Sequence, residues 1–218
     1  MPTFTQNIFE FGILRTSANE NPFLTYKTIH KINEKFTFMY LGNIGPVAGV
    51  ELLIDAFVFA NIPNSRLVIA GAGSMKDKLV KKASAHITSD IQFWKVPEGK
   101  VPEIQSKANI MLLPIRKGAA SSSIPSKLPA YMFSAKPVIC CAEDYSDTAK
   151  CIRDAECGYV VEPEQVIQLS QVMINSAQHD FETLKEMGER GFNYAINVFS
   201  KKQNLFRLAE VINNSLVE

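Results

Sequence analysis

The chain has 218 residues and is 46% hydrophobic, enough for one well-filled core but short for two full domains. Its 23 basic side chains stand against 22 acidic ones, a net charge of +1, so no broad positive field exists to hold nucleic acid or an anionic membrane surface. An anionic ligand must therefore be captured by local groups.

Residues 1–35 show no clear periodicity and read as a lead-in or interdomain segment, with a helix-like stretch around Tyr26 to Glu34. The opening MPTFTQNIFEFG lacks the basic region and apolar run of a signal peptide. From Phe36 onward, short apolar runs alternate with helix-length segments: FTFMYL, RLVIA, IQFW, NIMLL, PVICC and GYVV. That alternation predicts βαβ units and a Rossmann-like, three-layer α/β/α domain over residues 36–198, with a mainly parallel sheet of about six strands. NIMLL and PVICC are continuously apolar, which predicts strands covered on both faces.

Between strands, Leu52, Leu53, Ala56, Phe57 and Ala60 recur at helical spacing, and Pro163 with Glu164 is expected to start a helix before Val166, Leu169, Val172 and Met173. After the last strand the pattern is wholly helical. One helix is expected near Phe181 to Val198, where Gly188 and Gly191 are unfavourable. A final helix in 199–218 carries Leu205, Leu208, Ala209, Ile212 and Leu216 on one face. No apolar run approaches the ~20 residues that span a bilayer. Cys140, Cys141, Cys151 and Cys157 form no CxxC pair and have no nearby His cluster, which argues against a zinc site or redox dithiol and fits a reduced, cytoplasmic protein.

Loops at the carboxyl ends of parallel strands are where such sheets bind ligands. The first, LGNIGPVAGVELL, carries Gly42, Gly45 and Gly49 ahead of a helix whose amino terminus would favour an anion by ~0.3–1 kcal/mol. The loop does not match G-x-G-x-x-G, and its glycines serve equally for a tight strand-to-helix turn. The second, Gly71 to Ser74, is better explained by Ser74 capping the next helix. The third lies in PIRKGAASSSIPSKLPAYMFSAKPVICC, where Ser126 is expected to cap a helix with Lys127, Leu128 and Pro129 in its first turn, leaving backbone N–H groups open to phosphate. Lys127 opposes the helix dipole there unless an anion compensates. Trp94 suits core packing, and His30, His86 and His179 are scattered without obvious acid partners.

Taken in order, YLGNIGPVAGVELLIDAF, RLVIAGAGSMKDKL, IQFWKVPEGKVPEIQSKANIMLLP and SIPSKLPAYMFSAKPVI resemble the C-terminal domain of family 4 (group 1) glycosyltransferases with the GT-B fold. The resemblance implies a domain that binds a nucleotide-diphosphate sugar, whose N-terminal, acceptor-binding partner is missing from this chain. It implies that Gly42, Asn43 and Gly45 face the sugar diphosphate, that Ser123, Ser126 and Lys127 lie near the phosphates and ribose, and that Lys95 and Val96 border the base. Two departures stand out. Many members carry Arg and Lys where this chain has Asn43 and Ala48, and paired glutamates where it has Ser122 and Ala130.

The expected function is therefore transfer of a glycosyl group from a nucleotide sugar in surface polysaccharide or glycoconjugate synthesis, with no metal cofactor, no nucleic acid and no transmembrane segment. The setting is cytoplasmic, with peripheral contact to the inner membrane through the whole enzyme. No residue qualifies as catalytic, and a general base is expected from the absent domain. The alternative is a non-catalytic nucleotide-binding or assembly module that has lost its donor-site charges. A GT-B-like sugar-nucleotide epimerase would need cleft acids and histidines that the sequence does not supply.

Overall fold

The computed structural model describes residues 35–119 and 124–215. The expected lead-in, the serines Ser121 to Ser123 and Leu216 lie outside the described residues. Six strands, β1 (Phe36–Leu41), β2 (Ser65–Ala70), β3 (Ile91–Trp94), β4 (Ile110–Pro114), β5 (Val138–Cys141) and β6 (Gly158–Val161), form one sheet in the order β3-β2-β1-β4-β5-β6. Every pairing is parallel. The six apolar runs read from the sequence are these six strands. NIMLL and PVICC contribute β4 and β5, which are interior and wholly buried.

Helices cover both faces, as a parallel sheet demands. The helices are α1 (Val50–Ala60), α2 (Lys76–Ser84), α3 (Val101–Ser106), α4 (Lys127–Phe133), α5 (Asp147–Asp154), α6 (Val166–Ala177), α7 (Phe181–Val198) and α8 (Lys201–Ser215). Strand alternation divides the core. Phe38, Tyr40, Leu67, Ile69, Ile110 and Leu112 pack under α1, α2 and α6. Met39, Leu41, Val68, Met111, Leu113 and Cys140 pack under α3, α4, α5 and α7. The result is the Rossmann-like, three-layer α/β/α architecture expected from the sequence. No helix among the described residues is long and apolar enough to cross a membrane.

Three local expectations change. α7 runs unbroken through Gly188 and Gly191 because both are buried contact points. A Cβ on Gly188 would lie 2.1 Å from the Ala135 carbonyl oxygen, and one on Gly191 2.9 Å from Cys157 Cβ. Close packing of the helix on α4 and on the turns before β5 and β6 offsets the ~1 kcal/mol that glycine costs a helix interior. α6 starts after Pro163 and Glu164, because Glu164 takes a left-handed φ of 64° that no helix continues. α2 starts after Ser74; its N-cap is Met75, and no side chain caps it.

The functional end of the sheet is set where β1 and β4 separate. They pair only through Phe38↔Ile110 and Met39↔Met111. Even-numbered residues of β1 turn their amides toward β2, as Gly42 N–H does in bonding Ala70 O at 3.0 Å. Leu41 therefore directs its N–H and C=O into the gap, and the Tyr131 hydroxyl meets both. It accepts from Leu41 N at 3.1 Å and donates to Leu41 O at 2.8 Å. Tyr131 is fully buried on α4, so this clip ties the start of α4 to the end of β1. Replacing Tyr131 with Phe orphans two buried backbone groups, and urea unfolding is expected to show a loss of about 1–3 kcal/mol.

Candidate functional site

Two glycine loops and the start of α4 converge at the carboxyl ends of β1, β2 and β4. After β1 the chain passes Gly42 to Gly45, makes a short 3-10 turn at Pro46–Ala48, and enters α1 through Gly49 at a left-handed φ of 66°. Pro114 stands against this position, 3.4 Å from where a Gly49 Cβ would sit. The first turn of α1 thus emerges at the mouth of the sheet, with Leu52 N–H already spent on Gly49 O at 3.2 Å.

The second glycine loop is the buttress of the first. Ile44 N–H bonds Ala72 O at 2.8 Å, and Met75 N–H bonds Ile44 O at 3.0 Å. A Cβ on Gly71 would lie 2.1 Å from Gly42 O, and one on Gly73 2.3 Å from Ile44 O. Backbone therefore packs on backbone, and this, rather than capping by Ser74, is why the segment reads GAG. Tyr40 completes the bracing, its hydroxyl donating to Asn43 O at 2.5 Å.

Lys127 lies directly on this turn. Its stem occupies the space that a side chain on Gly42 would fill, with Cε 2.1 Å from the Cβ position, and its Nζ sits 5.7 Å from the Tyr40 ring centroid. Among the described residues no carboxylate pairs with it. Burial pulls the Lys127 ammonium below the ordinary lysine range. Lys127 is thus a partly desolvated cation laid against the first glycine turn.

The other residues singled out from the sequence divide. Gly42, Asn43, Gly45 and Lys127 are brought together. Ser126 is exposed at the N-cap position of α4, but its side chain makes no capping bond and its backbone is already helical. The first turn of α4 is also less open than expected, because Leu128 N–H is spent on Pro125 O at 3.0 Å. Ser123 lies outside the described residues. Lys95 is exposed, and Val96 packs against the core beside Trp94, in a loop joined to the glycine buttress by Gly71 N–H bonding Trp94 O at 3.0 Å. Trp94 packs in the core as expected, with Arg66 and Lys107 near its ring.

Two neighbours escaped the sequence reading. Arg116, just past β4, lies beside Gly49, its Cγ 3.7 Å from that residue's Cβ position. Glu143, just past β5, is buried; one oxygen accepts from Gly118 N–H, and the other has no hydrogen-bond partner among the described residues. The signal for both was position, since each follows closely on the carboxyl end of a central strand, the end where open α/β sheets generally bind ligands.

A family profile described as glycosyl transferases group 1 matches residues 24–194. The chain belongs to this family. WcaI of Escherichia coli (strain K12), assigned as a colanic acid biosynthesis glycosyl transferase, is 27% identical over 136 residues, covering 62% of this chain and 33% of the relative. The chain spans 38% and 33% of the lengths of two curated relatives it matches. Among solved structures, the C-terminal domain of a glycosyl transferase group 1 family protein, LpcC from Francisella tularensis, superimposes with a TM-score of 0.63 at 18% identity, covering 84% of this chain and 94% of that one. S. aureus TarM, in complex with Fondaparinux, alpha-GlcNAc-glycerol and UDP, gives 0.69 at 16% identity, covering 85% and 38%.

In this group 1 transferase chain other polar groups lie away from the cluster. His179 bonds the Tyr159 hydroxyl at 2.5 Å on β6. Lys136 is buried at the opposite end of the sheet, where it donates to Ser106 O and Ala108 O at 2.9 and 2.7 Å. A depression of about 390 Å³ beside β6, lined by Asp144, Glu162, Gln168 and Gln171 among others, shares no residue with the glycine turns. The buttress can be tested directly. Gly71→Ala pushes a methyl into a backbone carbonyl at a φ of 136°, and urea unfolding is expected to show a loss on the order of 1–3 kcal/mol. Gly42→Ala meets only the flexible Lys127 stem, and its loss should be the smaller of the two.

Proposed function

We propose that this chain is the donor-binding, C-terminal half of a two-domain family 4 glycosyltransferase, holding a nucleotide-diphosphate sugar between the α1 amino terminus and Lys127. The observation that carries this reading is Lys127 itself, a half-buried ammonium with no carboxylate partner among the described residues, laid across the glycine turn. In the reaction an acceptor hydroxyl attacks the anomeric carbon, the bond from that carbon to the diphosphate breaks, and the nucleoside diphosphate leaves with the electron pair. Lys127 and the backbone amides stabilise the charge that builds on that leaving group. This arrangement neutralises the diphosphate without a metal.

The acceptor-binding domain and the general base belong to polypeptide beyond this half. The close coverage of an isolated C-terminal domain favours that division. So do apolar side chains left open to solvent: Val47 on the first loop, Tyr145 after β5, and Leu205, Leu208 and Ile212 along α8. Surface polysaccharide synthesis is the setting suggested by the colanic acid relative. A binding or assembly module is the competing reading, favoured by the uncharged Asn43 and Ala48 on the first loop.

Calorimetric titration with UDP-, GDP- and TDP-sugars is expected to give binding by one of them. Lys127→Ala should weaken it about ten- to a hundred-fold, the equivalent of one charged hydrogen bond. Absence of binding to all three overturns the donor-site reading. Binding without transfer, once the complete enzyme is supplied with acceptor, supports the module.

A further inference from the structure

The first loop, from Gly42 to Gly49, carries no basic side chain of its own, yet the structure brings a second positive group to its far end. Arg116 follows β4, and its stem runs along the entrance to α1, 3.7 Å from the Cβ position of Gly49. Its loop is anchored two residues later, where Gly118 N–H is held by the buried Glu143. The guanidinium is drawn toward Glu51 in the first turn of α1, with Nη2 3.5 Å from Oε2. That separation is beyond a good hydrogen bond.

Glu51 does not depend on that contact. Lys78 from α2 reaches its other oxygen at 2.6 Å. The hydrogen bond from Lys78 is the main reason the Glu51 carboxyl sits below the usual carboxylate range, and Arg116 contributes least. Arg116 is thus a half-exposed guanidinium with a long, replaceable partner, lying over a helix amino terminus. Its planar fork of donors fits two phosphate oxygens at once, which a lysine does not.

We infer that Arg116 is the second diphosphate-binding cation of this site, and that an incoming diphosphate takes it from Glu51 while Lys78 keeps the carboxylate neutralised. This rests on the donor-site reading above. The grip then comes from both sides of the gap between β1 and β4: amides from the β1 side, and Lys127 and Arg116 from the β4 side. Glu51 acts as a positioning residue that holds the guanidinium over the entrance before the ligand arrives and competes with it afterwards.

The test is calorimetric titration of this chain with UDP, GDP and TDP, on the parent and on Arg116→Ala, Arg116→Lys, Glu51→Gln and the Glu51→Gln, Arg116→Ala pair. Arg116→Ala is expected to weaken binding about ten- to a hundred-fold with an unchanged melting temperature, because an exposed ion pair adds little to stability. Arg116→Lys should recover only part of the loss. Glu51→Gln should tighten binding several-fold in the parent and leave it unchanged when Arg116 is absent. If Lys127→Ala weakens binding while Arg116→Ala matches the parent, the second-cation assignment is overturned and the donor site stands. If Glu51→Gln has the same effect with and without Arg116, the exchange of partners is overturned. If the parent binds none of the three nucleotides, it is the donor-site reading that fails.

Discussion

The arrangement of this site depends on how a parallel sheet handles the place where two neighbouring strands stop pairing. Beyond Met39 and Met111, β1 and β4 part, and Leu41 turns two backbone groups into the gap. An open gap would leave them unpaired inside the protein, a cost comparable to one or two hydrogen bonds. The Tyr131 hydroxyl resolves this by donating and accepting at the same residue. In doing so it fixes the start of α4 against the end of β1, which is how Lys127, four residues earlier, comes to lie on Gly42. One buried hydroxyl thus links a strand-pairing constraint to the position of a cation.

A second constraint is how closely backbone can approach backbone. The first glycine turn is held by hydrogen bonds to the Ala72 carbonyl and from Met75 N–H, and by contacts that only the missing side chains of Gly71 and Gly73 permit. The first loop is therefore stiff, although it carries few side-chain bonds of its own. A loop held in this way has little conformational freedom left to lose.

The sequence made the layers and strand positions legible because a parallel sheet covered on both faces demands continuous apolar runs, and six such runs stand apart in this chain. The meeting of Gly42 with Lys127 was legible in outline, from the rule that ligands lie at strand carboxyl ends. Details set by three-dimensional contact were hidden. Gly188 and Gly191 look like helix breakers until Ala135 and Cys157 are seen against them. Ser126 looks like a cap, yet its backbone is already helical and its hydroxyl caps nothing. Arg116 was hidden for a related reason: its importance comes from Gly49, 67 positions earlier in the chain, and no local pattern joins the two.

The seam between β1 and β4 has a mechanical consequence. Only two residue pairs are in ladder register there, against six between β1 and β2, and side-chain bonds from Asn109 and Tyr131 complete the join. A diphosphate bound by amides on one bank and ammonium or guanidinium on the other would act as an extra rung across the strand pair with the shortest ladder. Nucleotide occupancy would then stiffen the whole sheet as well as the pocket, and loss of the leaving nucleotide would return the two halves to looser coupling.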